Sequence, residues 1–462
     1  MLSMYQINFN QPIHVFFIGI GGISMSGLAE IINKEGFKVS GSDMKASDLT
    51  KHMESLGIQV YSGQKAENIA DDVDLVVYTA AIHKDNPEFQ RAVERHLPML
   101  TRAEFLGQLM KNYRIPIAVS GTHGKTTTTS MLSHVLLQAD TDPTLSIGGI
   151  LKAIHGNIRV GGNQYFLTEA CEYTNSFLSF YPKIGIILNI DADHLDFFKD
   201  LDDIRASFKK FTKLLPTDGT LIISSDIDNL SYFTDELNCN IITFGAQETS
   251  DYSAKDIIFD DFGRPTYTLL KKGEEVSQIS LSVTGIHNVY NSLSAIATAD
   301  LLHIDLDTTK KALLAFSGTD RRFEYKGEIG GVTIIDDYAH HPTEIKATLS
   351  AAQNYPHKKL WCVFQPHTFT RTKALMDEFA QALSMAENII LADIYPARET
   401  DNLGISSETL AKKIEDSGKK CFYFPSFGEI EEFLLEHCSA GDLLITMGAG
   451  DVVNIGNHLL GK

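Results

Sequence analysis

Strand-like apolar runs alternate with helical patterns along the whole chain, and three sets of strand ends carry glycine-rich or densely polar turns. Together these predict an α/β protein of three domains. A Rossmann-like N-terminal domain is expected over residues 1–112 and a central P-loop-type ATPase domain over 113–320. A second Rossmann-like domain is expected over 321–462.

The first domain opens on His14-Val15-Phe16-Phe17-Ile18, a buried strand that runs into Gly19-Ile20-Gly21-Gly22 and a helix to about Lys34. A second strand, 38–43, ends on Asp43, 22 residues after Gly21. This is similar to the dinucleotide fingerprint, in which glycines admit a pyrophosphate and a later acid takes a ribose hydroxyl. Ser24 stands where the third glycine would be. The turn therefore reads as a pyrophosphate site in a Rossmann-like domain, with two more βα units near Asp74–Thr79 and Met99–Leu100.

The central domain is organised around Ser120-Gly121-Thr122-His123-Gly124-Lys125-Thr126-Thr127-Thr128-Thr129. The apolar run 115–119 precedes it, and 130–137 continues at helical spacing. Backbone N–H groups in such a strand-to-helix turn point at phosphate, and the helix N-terminus adds partial positive charge. Lys125 would neutralise the outer phosphates and Thr126 would offer a hydroxyl to Mg²⁺. Val119 replaces the first glycine of the full pattern, so the alternative is a tight turn with an exposed lysine. Further on, Tyr165 to Glu172 is a strand ending in carboxylates, with Glu169 as the candidate ligand. The continuous apolar run 184–190 leads to Asp191-Ala192-Asp193-His194-Leu195-Asp196. Ligands bind beyond the carboxyl ends of parallel strands, so Glu169, His194 and the phosphate loop can meet around one or two Mg²⁺ ions. Read alone, Glu169 is a solvated strand end and His194 a capping histidine. Asn288 and Asn291 precede an Ala-rich helix expected over 292–302. On a helix they share a face suited to a purine edge; otherwise they are caps.

Gly318 to Glu324 marks the second boundary. Strands are expected at 332–335, 360–364, 388–392 and 443–446, and Pro342 opens a helix. Their tips carry Asp336 to Glu344, Gln365 to Arg371 and Gly448 to Asp451, which points to a cleft.

The formal net charge of −19 over 462 residues argues against a nucleic-acid surface. No apolar run is long enough to span a bilayer, and Met1 to Gln11 has no secretory pattern, so a cytoplasmic protein is expected. The five cysteines are scattered, with no CxxC pair, which fits neither a disulfide framework nor a zinc site.

In order, GTHGKTTTT, EACE, DADHLD, GIHNVYN, DRRFE, DDYAHHPTE and QPHTFTRT resemble the Mur ligase family, the ATP-dependent amino-acid ligases of peptidoglycan synthesis. The resemblance covers nearly the whole chain. Within the family, GIGGISMSGLAE and QPHTFTRT favour the member that uses UDP-N-acetylmuramate and L-alanine. The resemblance implies ATP and Mg²⁺, an acyl-phosphate intermediate, and a monomer or weak homodimer. It implies catalytic roles for Lys125, Glu169, His194, His340 and Arg371. ATP would be held by Gly121, Thr122, His123, Gly124, Lys125, Thr126 and Thr127, with Asn288 and Asn291 on adenine, Arg322 on phosphate and Asp337 on ribose. The metal would sit on Thr126, Glu169 and His194. The UDP group would lie on Gly19, Gly21, Gly22, Ser42 and Asp43, and the amino acid on Tyr338, His340, His367 and Arg371. Three departures stand out. Cys171 replaces an Asp common in alanine-adding members, and Thr368 replaces an Arg carried by some. Phe208 holds the position of a lysine that other members carbamylate, so no carbamate is expected. The rival readings are the family's tripeptide ligase, a non-catalytic nucleotide-binding regulator, and an NAD-dependent dehydrogenase that would leave GTHGKTTTT unexplained.

Overall fold

The computed structural model describes residues 5–79, 81–195, 197–397 and 399–462; Asp196 of the DADHLD run lies outside them. Three sheets follow one another along the chain. The first holds β1 (His14–Ile18), β2 (Lys38–Asp43), β3 (Gln59–Ser62), β4 (Leu75–Tyr78) and β5 (Met99–Thr101). All its pairings are parallel, in the order β3-β2-β1-β4-β5, as the Rossmann-like expectation requires. Every residue of β1 is buried, which explains its unbroken apolar run.

The central sheet holds β6 (Ile115–Ser120), β7 (Thr144–Leu151), β8 (Gly156–Arg159), β9 (Tyr165–Glu169) and β10 (Ile184–Ile187). It continues with β11 (Thr220–Ser224), β12 (Asn240–Gly245), β13 (Tyr252–Phe259), β14 (Pro265–Lys271) and β15 (Glu274–Ser280). Their order is β15-β14-β13-β12-β11-β10-β6-β9-β7-β8. The middle strands are parallel, while β7–β8, β13–β14 and β14–β15 pair antiparallel. The phosphate-loop strand β6 lies between β10 and β9, so their carboxyl ends open on one place.

The third sheet holds β16 (Glu324–Ile329), β17 (Val332–Asp337), β18 (Leu360–Phe364), β19 (Asn388–Leu391), β20 (Lys420–Tyr423) and β21 (Leu443–Met447). Its order is β16-β17-β21-β18-β19-β20, parallel except for the edge strand β16. Two boundaries differ from expectation. The run 184–190 is strand only to Ile187, because the chain then turns under the phosphate loop. The Ala-rich helix begins at Ile286, so Asn288 and Asn291 lie inside its first turns and Gly285 is the cap.

One apolar core joins the first two domains: Phe17, Leu106 and Tyr113 belong to the same buried cluster as Phe166, Phe177 and Phe211. Phe208 is fully buried in it, so position 208 faces core rather than ligand. The C-terminal domain has separate cores on the two faces of its sheet. Its seam with the central domain carries ion pairs, hydrogen bonds and the edge-on contact of Phe262 with Tyr355 at 5.6 Å. Among the described residues, no helix is long and apolar enough to cross a membrane.

Helix Arg102–Met110 presses on the short helical segment Tyr173–Ser179 so closely that a Cβ at Gly107 would stand 1.9 Å from the Ser179 carbonyl oxygen. Backbone cannot yield as a flexible side chain does. Gly107→Ala is expected to destabilise the protein by about 1–3 kcal/mol, read as a lowered denaturation midpoint with an unchanged slope.

Candidate active site

Most helices start on a side-chain cap: Ser47, Asn86, Thr101, Asp200, Asp305, Ser406 and Ser426 each accept from the first turn. Three other starts fall on glycine. Helices Ile23–Lys34, Lys125–Gln138 and Ile286–Leu301 begin on Gly22, Gly124 and Gly285, with no side-chain cap. Their first N–H groups are thereby left for an anion or a ligand. All three belong to stretches singled out in the sequence.

At the N-terminal turn, Gly19 N–H donates to the Ser42 carbonyl, and Gly21 N–H donates to Asp43 Oδ2 at 2.9 Å. Asp43 thus braces the turn expected to hold the pyrophosphate, beside Gly22. Ser42 corrects the expectation. Its side chain is fully buried and donates its hydroxyl to Glu88 Oε2 at 2.6 Å, so its hydroxyl faces the interior. Only its carbonyl serves the turn.

The phosphate loop is pinned from β10. Asn189 accepts from His123 N–H at 2.8 Å and donates to the His123 carbonyl at 3.0 Å. Thr122 N–H donates to the Asn189 carbonyl, and the Thr122 hydroxyl accepts from Asp191 N–H at 2.9 Å. Gly124 has φ +84°, and a Cβ there would stand 2.7 Å from Asn291 Oδ1. Both facts require glycine. Lys125 does not project outward. Its ammonium donates to the carbonyls of Gly121 (2.6 Å) and Thr122 (3.0 Å) and to Glu172 Oε2 (3.0 Å).

Beside it, Thr126 Oγ1 donates to Glu169 Oε2 at 3.0 Å, and Gly148 N–H donates to Glu169 Oε1 at 2.6 Å. Burial raises the Glu169 carboxyl, opposed by these two hydrogen bonds and by Lys125. The His194 ring packs tilted against Tyr173 at 4.6 Å, and its Nε2 lies 4.0 Å from Glu172 Oε1 and 3.8 Å from Asp193 Oδ2. The structure therefore joins Thr126 to Glu169 and places His194 against Glu172 and Asp193. Among the described residues no three His, Cys, Asp or Glu side chains converge as a metal cage. A hydroxyl and a carboxylate beside a phosphate loop still fit Mg²⁺, which takes few protein ligands and fills its shell with water and phosphate oxygens.

Two clefts flank the loop. A cleft of about 300 Å³ is lined by Gly124, Thr127, Asn288, Asn291, Arg322 and Asp337, with His123 at its edge. Asn291 Nδ2 donates to Asn288 Oδ1 at 3.0 Å, which fixes both amides. Asp337 accepts from the N–H groups of Phe323 (2.8 Å) and Ala339 (2.7 Å), and burial pushes its carboxyl up to about 6. A cleft of about 330 Å³ is lined by Tyr173, His194, His367, Thr368, Arg371 and Glu399. Tyr338 and His340 line neither cleft; the His340 ring lies 5.7 Å from His367 and 5.4 Å from Tyr338. The guanidinium groups of Arg321 and Arg322 lie over the Tyr338 ring at 4.9 and 5.2 Å.

The fork of Arg371 is already engaged. Nε and Nη2 donate to Asp193 Oδ1 at 3.1 and 3.0 Å, and Nη1 donates to His367 Nδ1 at 3.2 Å. Burial opposes the Asp193 charge, but Arg371 beside it holds the carboxyl well below the usual range. An arginine only donates, so His367 carries its proton on Nε2. His340 Nδ1 lies 3.0 Å from the Tyr338 carbonyl, which only accepts, so its Nε2 keeps a lone pair. Burial pushes both imidazoles down to about 4, leaving them neutral at pH 7.

Glu344 and His123 tie the domains together. Glu344 accepts from His340 N–H at 3.0 Å, meets His123 Nδ1 at 3.3 Å and lies 3.9 Å from Arg322 Nη1. His123 Nε2 lies 3.4 Å from Asp191, and the His341 ring packs at 4.8 Å. Burial disfavours a charged His123, yet the Asp191 and Glu344 carboxylates on either side of it raise it to about 9. A raised histidine contributes stability that is complete below its unfolded value, near 6.5, and is lost as pH rises through about 9. On the order of 3 kcal/mol is at stake. The melting temperatures of the native protein and of His123→Asn are therefore expected to differ most near pH 6 and to converge by about pH 10.

Glu172, Asp193, Asn189 and Glu344 were not singled out from the sequence. Each acts through a partner remote in the chain; the density of polar residues in EACE, DADHLD and DDYAHHPTE hinted at Glu172, Asp193 and Glu344, while Asn189 lies outside all three runs.

Comparison with known proteins agrees in family and order. Residues 14–114 match the profile described as "Mur ligase family, catalytic domain", 119–299 match "Mur ligase middle domain", and 321–450 match "Mur ligase, glutamate ligase domain". The UDP-N-acetylmuramate–L-alanine ligase of Lachnospira eligens is 60% identical, over 99% of this chain and 100% of that protein. The same-named ligase of Agathobacter rectalis is 56% identical over 99% and 100%. Among solved structures, the UDP-N-acetylmuramate-alanine ligase of Thermotoga maritima superposes with a TM-score of 0.80 at 30% identity, covering 97% of this chain and 98% of that one. A murein peptide ligase from Psychrobacter arcticus gives 0.70 at 25% identity, covering 97% and 98%. With its three sheets in order and full-length relatives at this identity, the chain belongs to the Mur ligase family.

Proposed function

We propose that this protein joins the amine of L-alanine to the carboxyl group of UDP-N-acetylmuramate, using ATP and Mg²⁺, as a cytoplasmic monomer or weak homodimer. The supporting observation is the seam where the phosphate loop, the Thr126–Glu169 pair and the His340–His367–Arg371 group meet between two clefts. Full-length relatives that carry this name support the choice of substrates.

A carboxylate does not condense with an amine directly, because oxide is a poor leaving group. The muramoyl carboxylate attacks the γ-phosphorus, ADP leaves, and an acyl phosphate results. The alanine amine then attacks the acyl carbon, phosphate leaves, and an amide remains. Lys125 neutralises charge on the phosphoryl oxygens in flight. Thr126 and Glu169, with His194 nearby, would hold Mg²⁺, which would supply further positive charge there. Asn288 and Asn291 hold adenine, Asp337 the ribose, and Arg322 the phosphates. Arg371 grips the alanine carboxylate, with Tyr338 and His367 shaping its surroundings. His340 Nε2 has the lone pair to take the proton that the amine sheds. Gly19, Gly21, Gly22 and Asp43 hold the diphosphate of the UDP group. Boundaries at 112/113 and 320/321 belong to the same proposal.

The test is ADP release with UDP-N-acetylmuramate, comparing L-alanine with the L-Ala-D-Glu-diamino-acid tripeptide. Turnover with alanine alone is expected; turnover with the tripeptide alone would assign the chain to the tripeptide ligases. In the same assay His194→Ala is expected to raise the half-saturating Mg²⁺ concentration several-fold while changing ATP affinity less. An unchanged Mg²⁺ requirement would leave His194 a packing partner of Tyr173.

A further inference from the structure

The Lys125 ammonium has three hydrogens, and all three are engaged: by two loop carbonyls and by Glu172. Glu172 differs from the other two partners in kind. It is charged, it is a side chain, and it comes from the turn after β9 rather than from the loop itself. Its side chain is 2% exposed, and that of Lys125 15%. The turn that carries it is held in an uncommon shape. Thr174 and Asn175 both have left-handed backbone, and Asn175 N–H closes the turn on the Glu172 carbonyl at 2.8 Å. The surroundings thus fix a carboxylate against the lysine of a phosphate-binding loop. That is the position, relative to the ammonium, in which an anionic oxygen of a bound nucleotide is needed.

We propose that Glu172 is a positioning residue that stands in for the terminal phosphate on Lys125 and is exchanged for it when nucleotide binds. A buried ammonium without a counter-charge is strongly disfavoured, and in this structure Glu172 is the anion that supplies it. The loop carbonyls are neutral and cannot supply it. Once Lys125 turns to a phosphate, Glu172 keeps His194 as a neighbour at 4.0 Å. The same carboxylate therefore faces two groups assigned to the phosphoryl end of the nucleotide, and its charge competes with the nucleotide for the first of them.

The inference rests on the nucleotide reading of the loop, and the experiment separates the two. ATP binding is measured by calorimetry in EDTA, without co-substrates, so that no turnover occurs. Glu172→Gln and Glu172→Ala are expected to bind ATP about tenfold more tightly than the native chain, the scale of one displaced charge-assisted hydrogen bond. Glu172→Asp, which keeps the charge, is expected to stay within about threefold. A merely structural glutamate would give the opposite sign, since cutting it would loosen the site. Either uncharged variant that folds decides the matter. Unchanged or weakened binding would overturn the proposal, as would an Asp variant that tightens as much as Gln, because space rather than charge would then be the cause. A native chain that binds no ATP would instead overturn the nucleotide reading itself.

Discussion

Lys125→Ala is expected to lower ligation at least about 10²-fold, the loss that follows when a preorganised cation facing a transferring phosphoryl group is removed. The structure adds a second effect. Without the ammonium, the Glu172 carboxylate, 2% exposed, is left buried without its ion-pair partner, with the His194 ring 4.0 Å away. Breaking a buried pair on one side costs about 3–5 kcal/mol of stability. The single variant should therefore melt earlier as well as fail to turn over. The double variant Lys125→Ala, Glu172→Gln should regain much of the lost melting temperature while turnover stays low. Recovery of turnover in the double variant would show that Lys125 serves folding alone. Near-native turnover in the single variant would remove ATP from this loop.

Arg371→Lys carries the second large effect. A methyl group offers about 1 kcal/mol of apolar binding, so the carboxylate must provide much of the grip on alanine. A guanidinium matches a carboxylate with a two-pronged fork that lysine lacks. The guanidinium already meets a carboxylate in this structure, with Nε and Nη2 both donating to Asp193 Oδ1 at 3.1 and 3.0 Å. The KM for L-alanine is expected to rise about 10- to 100-fold, with the KM values of ATP and UDP-N-acetylmuramate nearly unchanged. A raised KM for ATP with alanine unaffected would turn Arg371 toward the phosphates and move the amino-acid pocket elsewhere.

Elements whose burial is written in local periodicity were legible from sequence. The run 14–18 is apolar because both faces of β1 are covered, and residues 130–137 are rich in apolar side chains because their helix is buried on most sides, between the sheet and the helices Ile286–Leu301 and Leu306–Ala315. The antiparallel extension β13 to β15 was not legible. Glu274–Ser280 is mostly polar and its outer side faces solvent, so no apolar run announces it. At the site, residue types with one dominant chemistry could be named from their motif, among them Lys125, Thr126 and Arg371. Pairing could not. Arg371 and Asp193 are 178 positions apart, and His123 and Glu344 are 221 apart. Ser42 shows the converse limit. A serine at a strand tip beside glycines suggests a ligand hydroxyl, and only packing reveals that Glu88 claims it from behind.

The two seams between domains are of different materials, and this bears on how such a molecule can diversify. The N-terminal and central domains share one apolar core, from Phe17 through Phe105 to Phe166 and Phe211. Altering either half there requires compensating changes of volume in the other. The C-terminal domain keeps its cores to itself and meets the loop mainly through His123–Glu344, His341 with the Ala192 carbonyl, and Arg371–Asp193. A few polar bonds can be rewritten one at a time without repacking an interior. On the proposed roles, the part that activates the acid is thus built as one block, while the part that selects the amine is joined to it by separable polar bonds.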